Sequence, residues 1–457
     1  MKTAREPSVS DADDTGMVRR FAHVLPLAFI TYGLAYLDRA NYGSAESRLS
    51  ASLQLSPRMG PIVLSSFFLG YCLFQIPAAI YATKRNVKWL VFWALLFWGA
   101  LSGFTGVVRN VKLLITVRIL LGAVEGVVLP AMLIHLTRWF TRGERSRSNS
   151  LLMLTNPVAM LTASSLSGVL IQYFDNHPVG KYVGWQMMFM MEGLPSMIWA
   201  FCWLMLADEK PADARWLSPK EAVAVQAALD AEQRTIPSMR NNWTAFADWR
   251  VITLALMFMC FGAASYGFSM WLPGIVNDGT KELPAMAGHL TAVPYLIAIF
   301  TSLGVAWLSD RKLRRKRYVL GSMVIGGLAY CLSCAAGPGN FFIVFLGLIV
   351  VGSCIYTPTS PLWAWMAEML PRNVAGEAMA LVNSFGALGA FMGSMVFGLL
   401  KNQYHAYGPS FLFGAGCFAA AGLLTGLVRS QPSLAPSEVA SLAAMPIIPS
   451  VETVGEA

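Results

Sequence analysis

The chain has 457 residues, of which 56% are hydrophobic and only 13% charged. A soluble globular protein carries about 25% charged residues, so half of the expected surface charge is missing. This excludes a water-facing enzyme of such size, a disordered chain, a collagen and a disulfide-rich secreted domain, and sets the sequence against a bilayer. The net charge is +9. A basic excess suits nucleic acid or anionic lipid, and here the bases lie between apolar runs.

Residues 1–18 are polar and acidic and lack the apolar core of a signal peptide. Apolar runs then recur. A hydrocarbon core of about 30 Å needs roughly 20 helical residues. Runs of that size lie near 22–43, 59–82, 89–108, 113–137, 149–172 and 185–206. A polar stretch over 207–248 separates them from six more, near 250–272, 289–308, 318–337, 340–367, 378–400 and 409–428. The fold expected is an all-α integral membrane protein with twelve transmembrane helices in two pseudo-symmetric six-helix bundles. The first bundle spans 22–206 and the second 250–428. A tail over 1–21, a central loop over 207–249 and a Pro-, Ser- and Ala-rich disordered tail over 429–457 complete the chain. In the central loop, Ser218-Pro219 reads as an N-cap and first position of a surface helix reaching about Glu232.

Loop charge gives the orientation. With the N-terminus cytoplasmic, 25 of the 34 Lys and Arg residues fall on the cytoplasmic side and 7 outside, leaving Arg39 and Arg118 within spans. Both termini are then cytoplasmic in a cell inner membrane, and the basic charge needs no nucleic acid. The seven cysteines, including the pair Cys331/Cys334, lie in or beside apolar stretches and read as small apolar residues. Segments 81–85 and 307–311 are similar, as are 140–142 and 370–372, at offsets near half the chain. Two repeated bundles with a site between them are a secondary-transporter plan.

A charge inside a span is costly, so each marks a functional candidate. Asp38 and Arg39 are adjacent in span 1, and Arg118 and Glu125 share span 4. Seven helical residues bring Arg118 and Glu125 to one face, about 10 Å apart, with Gly122 between them leaving room for a neighbour. Arg39 stays protonated and needs an anion, and Asp38 and Glu125 supply one or take protons. The alternative is that the four charges form an ion-pair network that only locks spans 1 and 4. Tyr71 and Gln75 in span 2, Asn156-Pro157 in span 5, Tyr266 and Trp271 in span 7, Trp363 and Trp365 in span 10 and Asn383 in span 11 are further polar or aromatic candidates. Pro157 lacks an N–H and is expected to kink its helix near Met153. Glu192-Gly193-Leu194-Pro195 reads as a helix-packing feature, and His135 as an interfacial residue. The glycines Gly386, Gly389, Gly393, Gly262 and Gly267 read as close helix contacts. No Walker, zinc-protease or hydrolase-elbow pattern is present, so neither an enzyme nor a bound cofactor is expected.

Four segments resemble the major facilitator superfamily, and within it the anion:cation symporter group. They are Tyr36-Leu37-Asp38-Arg39-Ala40-Asn41-Tyr42-Gly43, the run from Arg118 to Glu125, Trp139-Phe140-Thr141-Arg142-Gly143-Glu144-Arg145, and the run from Pro211 to Leu217. The second-half loop also carries the superfamily pattern from Gly304 to Asp310-Arg311, whereas Thr83 stands where the first half would have an Asp. The segments 30–36, 75–81 and 370–376 look closest to bacterial 2-ketogluconate transporters. The resemblance implies a proton-coupled symporter, acting as a monomer, that imports a sugar-acid anion. Arg39 would bind the carboxylate, with Tyr71, Asn156, Trp363 and Asn383 around the substrate. Asp38 and Glu125 would carry protons, tuned by Arg118, and Asp310 and Arg311 would belong to a gating loop. The rivals are symporters for glucarate, galactarate, tartrate or an aromatic acid, and, further off, a membrane receptor that moves nothing.

Overall fold

The computed structural model describes residues 16–234, 249–280, 284–312, 314–337, 339–369 and 375–428. The N-terminal tail to residue 15, most of the segment 370–376 with its Arg372, and the tail expected to be disordered lie outside the described residues.

The described residues are helical nearly throughout. In chain order the helices are α1 (Met17–Ser52), α2 (Met59–Lys84), α3 (Val87–Thr105), α4 (Val111–Glu125), α5 (Val128–Thr137), α6 (Arg142–Met153), α7 (Thr155–Asn176) and α8 (Gly184–Leu206). They continue as α9 (Pro219–Arg234), α10 (Trp249–Thr280), α11 (Pro284–Lys312), α12 (Arg315–Ala336), α13 (Phe341–Tyr356), α14 (Thr359–Met369), α15 (Ala375–Tyr404) and α16 (Gly408–Leu427). Together they supply twelve spans long and apolar enough to cross a membrane. Many large apolar side chains face outward, among them Phe300, Leu328, Phe342 and Leu423. In water such exposure would be unfavourable, and in lipid it is the normal outer surface.

Local chemistry sets the helix ends. Asn86 accepts from the Trp89 N–H, and Asn110 accepts from the Lys112 and Leu113 N–H groups. Each satisfies orphan donors at a helix start. Three spans are interrupted, and a proline explains each break. Pro130 removes the donor for the Gly126 carbonyl between α4 and α5. Pro157 does the same for Met153 between α6 and α7, at the kink expected from sequence, and Pro361 for Thr357 between α13 and α14. The surface helix of the central loop runs from Pro219 to Arg234, and Ser218 and Glu221 exchange capping hydrogen bonds of 2.8 and 3.3 Å.

Several helices outrun their apolar cores. The first extends over Met17–Ser52 rather than 22–43. Its start is anchored, because Arg20 is fully buried and donates to Glu144 at 2.7 and 2.9 Å. Its far end carries Glu46 and Ser50 one turn apart, hydrogen-bonded at 3.0 Å. His135 lies near the end of α5. It is 1% exposed and packs between Trp139 and Trp203, with ring centroids 6.3 and 5.3 Å away.

An even number of spans puts both ends of the helical region on one side, the terminal side; the other is the far side. Helices from the two halves of the chain meet as α1 with α10, α2 with α15 and α7 with α11. On the far side Asn402 donates to the Pro57 carbonyl at 2.6 Å, and the Ala285 N–H donates to Gln172 at 3.0 Å. A Cβ on Gly43 would come within 2.7 Å of the Met270 carbonyl, so glycine there permits the close approach of α1 and α10. The glycines at 262, 389 and 393 likewise abut the backbone of Gly386, Met259 and Ala263, the helix contacts expected from sequence.

Candidate functional site

A cavity with an empty volume of about 960 Å³ lies between the two halves. It runs from mid-membrane toward the terminal side, lined by α1, α2, α5, α6, α7, α10, α13, α14 and α15. Arg39, Tyr71, Asn156, Trp363 and Asn383 all line it. Among the described lining residues Arg39 is the only charged one. Gln75 is buried outside this lining, and neither of its amide heavy atoms has a partner among the described residues.

The surroundings of Arg39 fix its direction. It is 2% exposed, and its guanidinium lies over the rings of Tyr36, Tyr71 and Phe67, at 4.6, 4.7 and 5.3 Å from the centroids. One terminal nitrogen pairs with Glu125 Oε2 at 3.2 Å, and the other donates to the Tyr266 hydroxyl at 3.2 Å. Tyr266 belongs to α10, so this contact crosses from one half to the other. Its hydroxyl also lies 3.4 Å from that of Tyr36. Glu125 ends α4 at the proline-induced break, and its Oε1 has no partner among the described residues.

The other expected charges lie beside Glu125 but off the cavity. Asp38 is one residue from Arg39 and points about 100° away around α1, away from the cavity but still beside Glu125. It is 1% exposed, accepts from Asn41 at 3.1 Å and accepts a short hydrogen bond from Ser102 of α3. It does not line the cavity. Arg118 forms no ion pair among the described residues and also lies off the cavity. Its guanidinium sits 4.2 Å from the Tyr42 centroid and 5.1 Å from that of Phe67. Phe67 therefore touches both guanidiniums. Gly122 makes this packing possible, because a side chain there would collide with the Phe67 carbonyl. The neighbour expected beside Gly122 is α2.

Sequence reasoning missed two participants, Glu192 and Phe67, and left the role of Tyr266 open. Glu192, read as a packing residue, is 3% exposed and accepts from Ser167 of α7 at 2.8 Å. Asn41 and Asp38 also face it. Its signal was present, since an acid inside a span is costly wherever it falls. Phe67 gave none, being one phenylalanine among 26. Tyr266 stood out only as an aromatic residue in span 7.

The loops on the terminal side form a second polar layer. Arg138 forms an ion pair with Glu209 and donates to the carbonyls of Ala82 and Arg85 at 3.2 Å each. Glu209 also accepts from the Val87 and Lys88 N–H groups at the start of α3. A central-loop acid thus serves the helix start beside Thr83, whose own side chain lies outside the described residues. In the second half Arg311 stacks over Trp307 at 4.0 Å, and the Asp310 side chain lies outside the described ones.

The model of the Major Facilitator Superfamily matches residues 28–394 of this sequence. The chain belongs to that superfamily. It is therefore a membrane transporter, not an enzyme. It is 29% identical over 423 residues to an Agrobacterium vitis protein described as "Putative tartrate transporter", covering 92% of each chain. It is 28% identical over 381 residues to the quinolone resistance transporter of Acinetobacter baumannii, covering 83% of this chain and 86% of that one. The inward open structure of the xylose transporter XylE from E. coli superposes with a TM-score of 0.71 at 15% identity, over 93% of this chain and 99% of that one. This last likeness concerns the fold alone. In superfamily terms the cavity lies where two bundles face each other, the usual place for a transported solute.

Proposed function

We propose that the protein is a proton-coupled symporter that imports a small hydroxy-acid monoanion, of the sugar-acid class to which 2-ketogluconate belongs, across the plasma membrane. It works as a single chain, with protons as coupling ion and no cofactor, and with both termini cytoplasmic. The observation that carries this reading is Arg39, a guanidinium in the cavity wall already paired with an acid that a substrate carboxylate can replace.

The cycle follows from that competition. Protonation of Glu125 removes the charge that holds Arg39, and a substrate carboxylate takes the vacated donors through a charge-assisted contact. Hydroxyl groups on the substrate reach Asn156, whose Oδ1 is unpaired among the described residues, Ser265, whose Oγ is likewise unpaired, and Asn383 across the cavity. Since Tyr266 bonds Arg39 across the interface, substrate at Arg39 also changes what joins the halves. Rocking then exposes the site to the cytoplasm, Glu125 loses its proton there, re-pairs with Arg39 and expels the anion. One lining cation favours one carboxylate, because a second would enter a low-dielectric wall unpaired. The relatives support a second reading, a dicarboxylate such as tartrate.

Uptake into proteoliposomes with an imposed pH gradient tests both readings, using 2-ketogluconate, gluconate, galactonate, glucarate, tartrate and hydroxybenzoate. Gradient-driven uptake of an aldonate with tartrate excluded is the expected result. Preferential tartrate uptake establishes the dicarboxylate reading, and uptake indifferent to pH removes proton coupling. Labelling of single cysteines placed at residues 210 and 401 checks orientation; the former should be reached only from the cytoplasm.

A further inference from the structure

Behind the cavity, α1, α3, α7 and α8 enclose a second polar cluster in which Asp38 and Glu192 face each other across Asn41. Three of its oxygens, Asp38 Oδ2, Glu192 Oε2 and Asn41 Oδ1, are buried and have no hydrogen-bond donor among the described residues. Buried acceptors are nearly always satisfied, and carboxylates and an amide oxygen can only accept. A proton on one carboxyl is the smallest ligand that supplies a donor. The charge balance agrees. Around this cluster Asp38, Glu125 and Glu192 are three buried acids, whereas Arg39 and Arg118 are two buried cations; the third buried arginine, Arg20, is paired with Glu144 at the start of α1. Arg39 is committed to Glu125, and Arg118 faces Asp38 and Glu125 without pairing with either. The groups facing Glu192 are Asp38 and Asn41 from α1 and Ser167 from α7. Those facing Asp38 are Ser102 from α3, Arg118 and Glu125 from α4, and Glu192.

The cluster also has its own approach. A second pocket, at the far side, is lined by Gly43, Ser44 and Glu46 of α1 and by Ser164 and Gly168 of α7. Ser44 is three residues beyond Asn41, and Gly168 directly follows Ser167. The cluster thus lies about one helical turn from the far-side pocket, whereas neither acid lines the substrate cavity.

We propose that Glu192 is a proton-positioning residue: it shares one proton with Asp38 at a site separate from the substrate cavity, and so sets the external pH at which Asp38 becomes loaded. This rests on the proton-coupled reading above. Substrate then meets Arg39 while the shared proton is exchanged next to the far-side pocket. The two are joined through Glu125, which faces Asp38 directly and pairs with Arg39, and through Arg118, which faces both acids.

The test is the external-pH profile of uptake by wild type, Glu192→Gln and Glu192→Asp in proteoliposomes. Substrate-induced thermal stabilisation serves as the control for folding and binding. Glutamine keeps an oxygen for the Ser167 hydroxyl but removes the ionisable group. Loss of a neighbouring negative charge weakens proton uptake at Asp38. Half-maximal uptake by Glu192→Gln should therefore need about tenfold more protons, a shift of one pH unit. Substrate stabilisation should be unchanged, and Glu192→Asp should recover most of the shift. Coincident profiles for wild type and Glu192→Gln would overturn the proposal, as would a requirement for Na⁺ in place of protons. Should glutamine fail to fold, Glu192→Ser, which also removes the ionisable group, takes its place: a profile displaced to lower external pH supports the shared proton, and one coincident with wild type overturns it. A flat wild-type profile removes the proton-coupled reading itself, which separates the two failures.

Discussion

At Arg39 a single side chain carries two relationships, one to an acid of its own bundle and one to a tyrosine of the other. Its planar fork serves both partners at once, with each terminal nitrogen 3.2 Å from its acceptor. A lysine is a point charge that cannot span them and cannot stack on Tyr36 and Tyr71 in the same way. Arg39→Lys should therefore lower substrate affinity at least about tenfold, since charge-assisted contacts contribute roughly 1.5–3 kcal/mol. Isothermal titration checks this, and wild-type affinity in the variant would remove the carboxylate role. Glu125→Gln mimics the protonated acid. It should keep substrate exchange between the two sides but lose accumulation driven by a pH gradient. Counterflow and gradient-driven uptake, measured on the same vesicles, separate these outcomes.

Among the elements, the start of α1 and the loop ahead of α6 form one latch. Arg20 donates to the Trp139 carbonyl at 2.5 Å and to both oxygens of Glu144, while Thr141 and Glu144 cap α6. Burial alone would raise the Glu144 proton affinity, but the Arg20 guanidinium and the Thr141 N–H and hydroxyl hold it below the ordinary carboxylate range. A lowered folded-state value means the stabilisation is complete at neutral pH. It is lost only as pH falls below the ordinary carboxylate value near ~4 and through the lower folded one. The latch is therefore constant across physiological pH, unlike the membrane acids proposed to cycle. Glu144→Gln leaves a buried guanidinium without its anion and should cost about 3 kcal/mol. A lower detergent-phase melting temperature, insensitive to pH between 6 and 8 by this reasoning, is the expected reading. The proline breaks act at the same scale, since the one before Pro130 ends α4 at Glu125 and leaves that acid at a helix end.

For the whole molecule, the halves touch on the far side through the Pro57–Asn402 hydrogen bond and the α1–α10 and α7–α11 approaches, while the cavity extends toward the terminal side. Alternating access requires the far-side contacts to part. Cysteines at Pro57 and Asn402 should form a disulfide that stops uptake, and a reducing agent should restore it. Undiminished uptake with the bridge formed would show that the far side need not open there.

The sequence by itself determined that the chain is a twelve-span membrane transporter of this superfamily, because hydrocarbon thickness, scarce charge and the Asp38-Arg39 and Arg118–Glu125 motifs are local properties. It also determined the break at Pro157, a local loss of one donor, and singled out five residues that line one cavity. Pairing is not local. Glu125 joins Arg39 rather than Arg118, Asp38 turns toward Ser102, Arg118 rests on Tyr42 and Phe67, and Glu192 joins the acids. The rotation of α1 between two bundles and the depth to which α2 sinks against Gly122 fixed those partners, and only the tertiary structure carries that information.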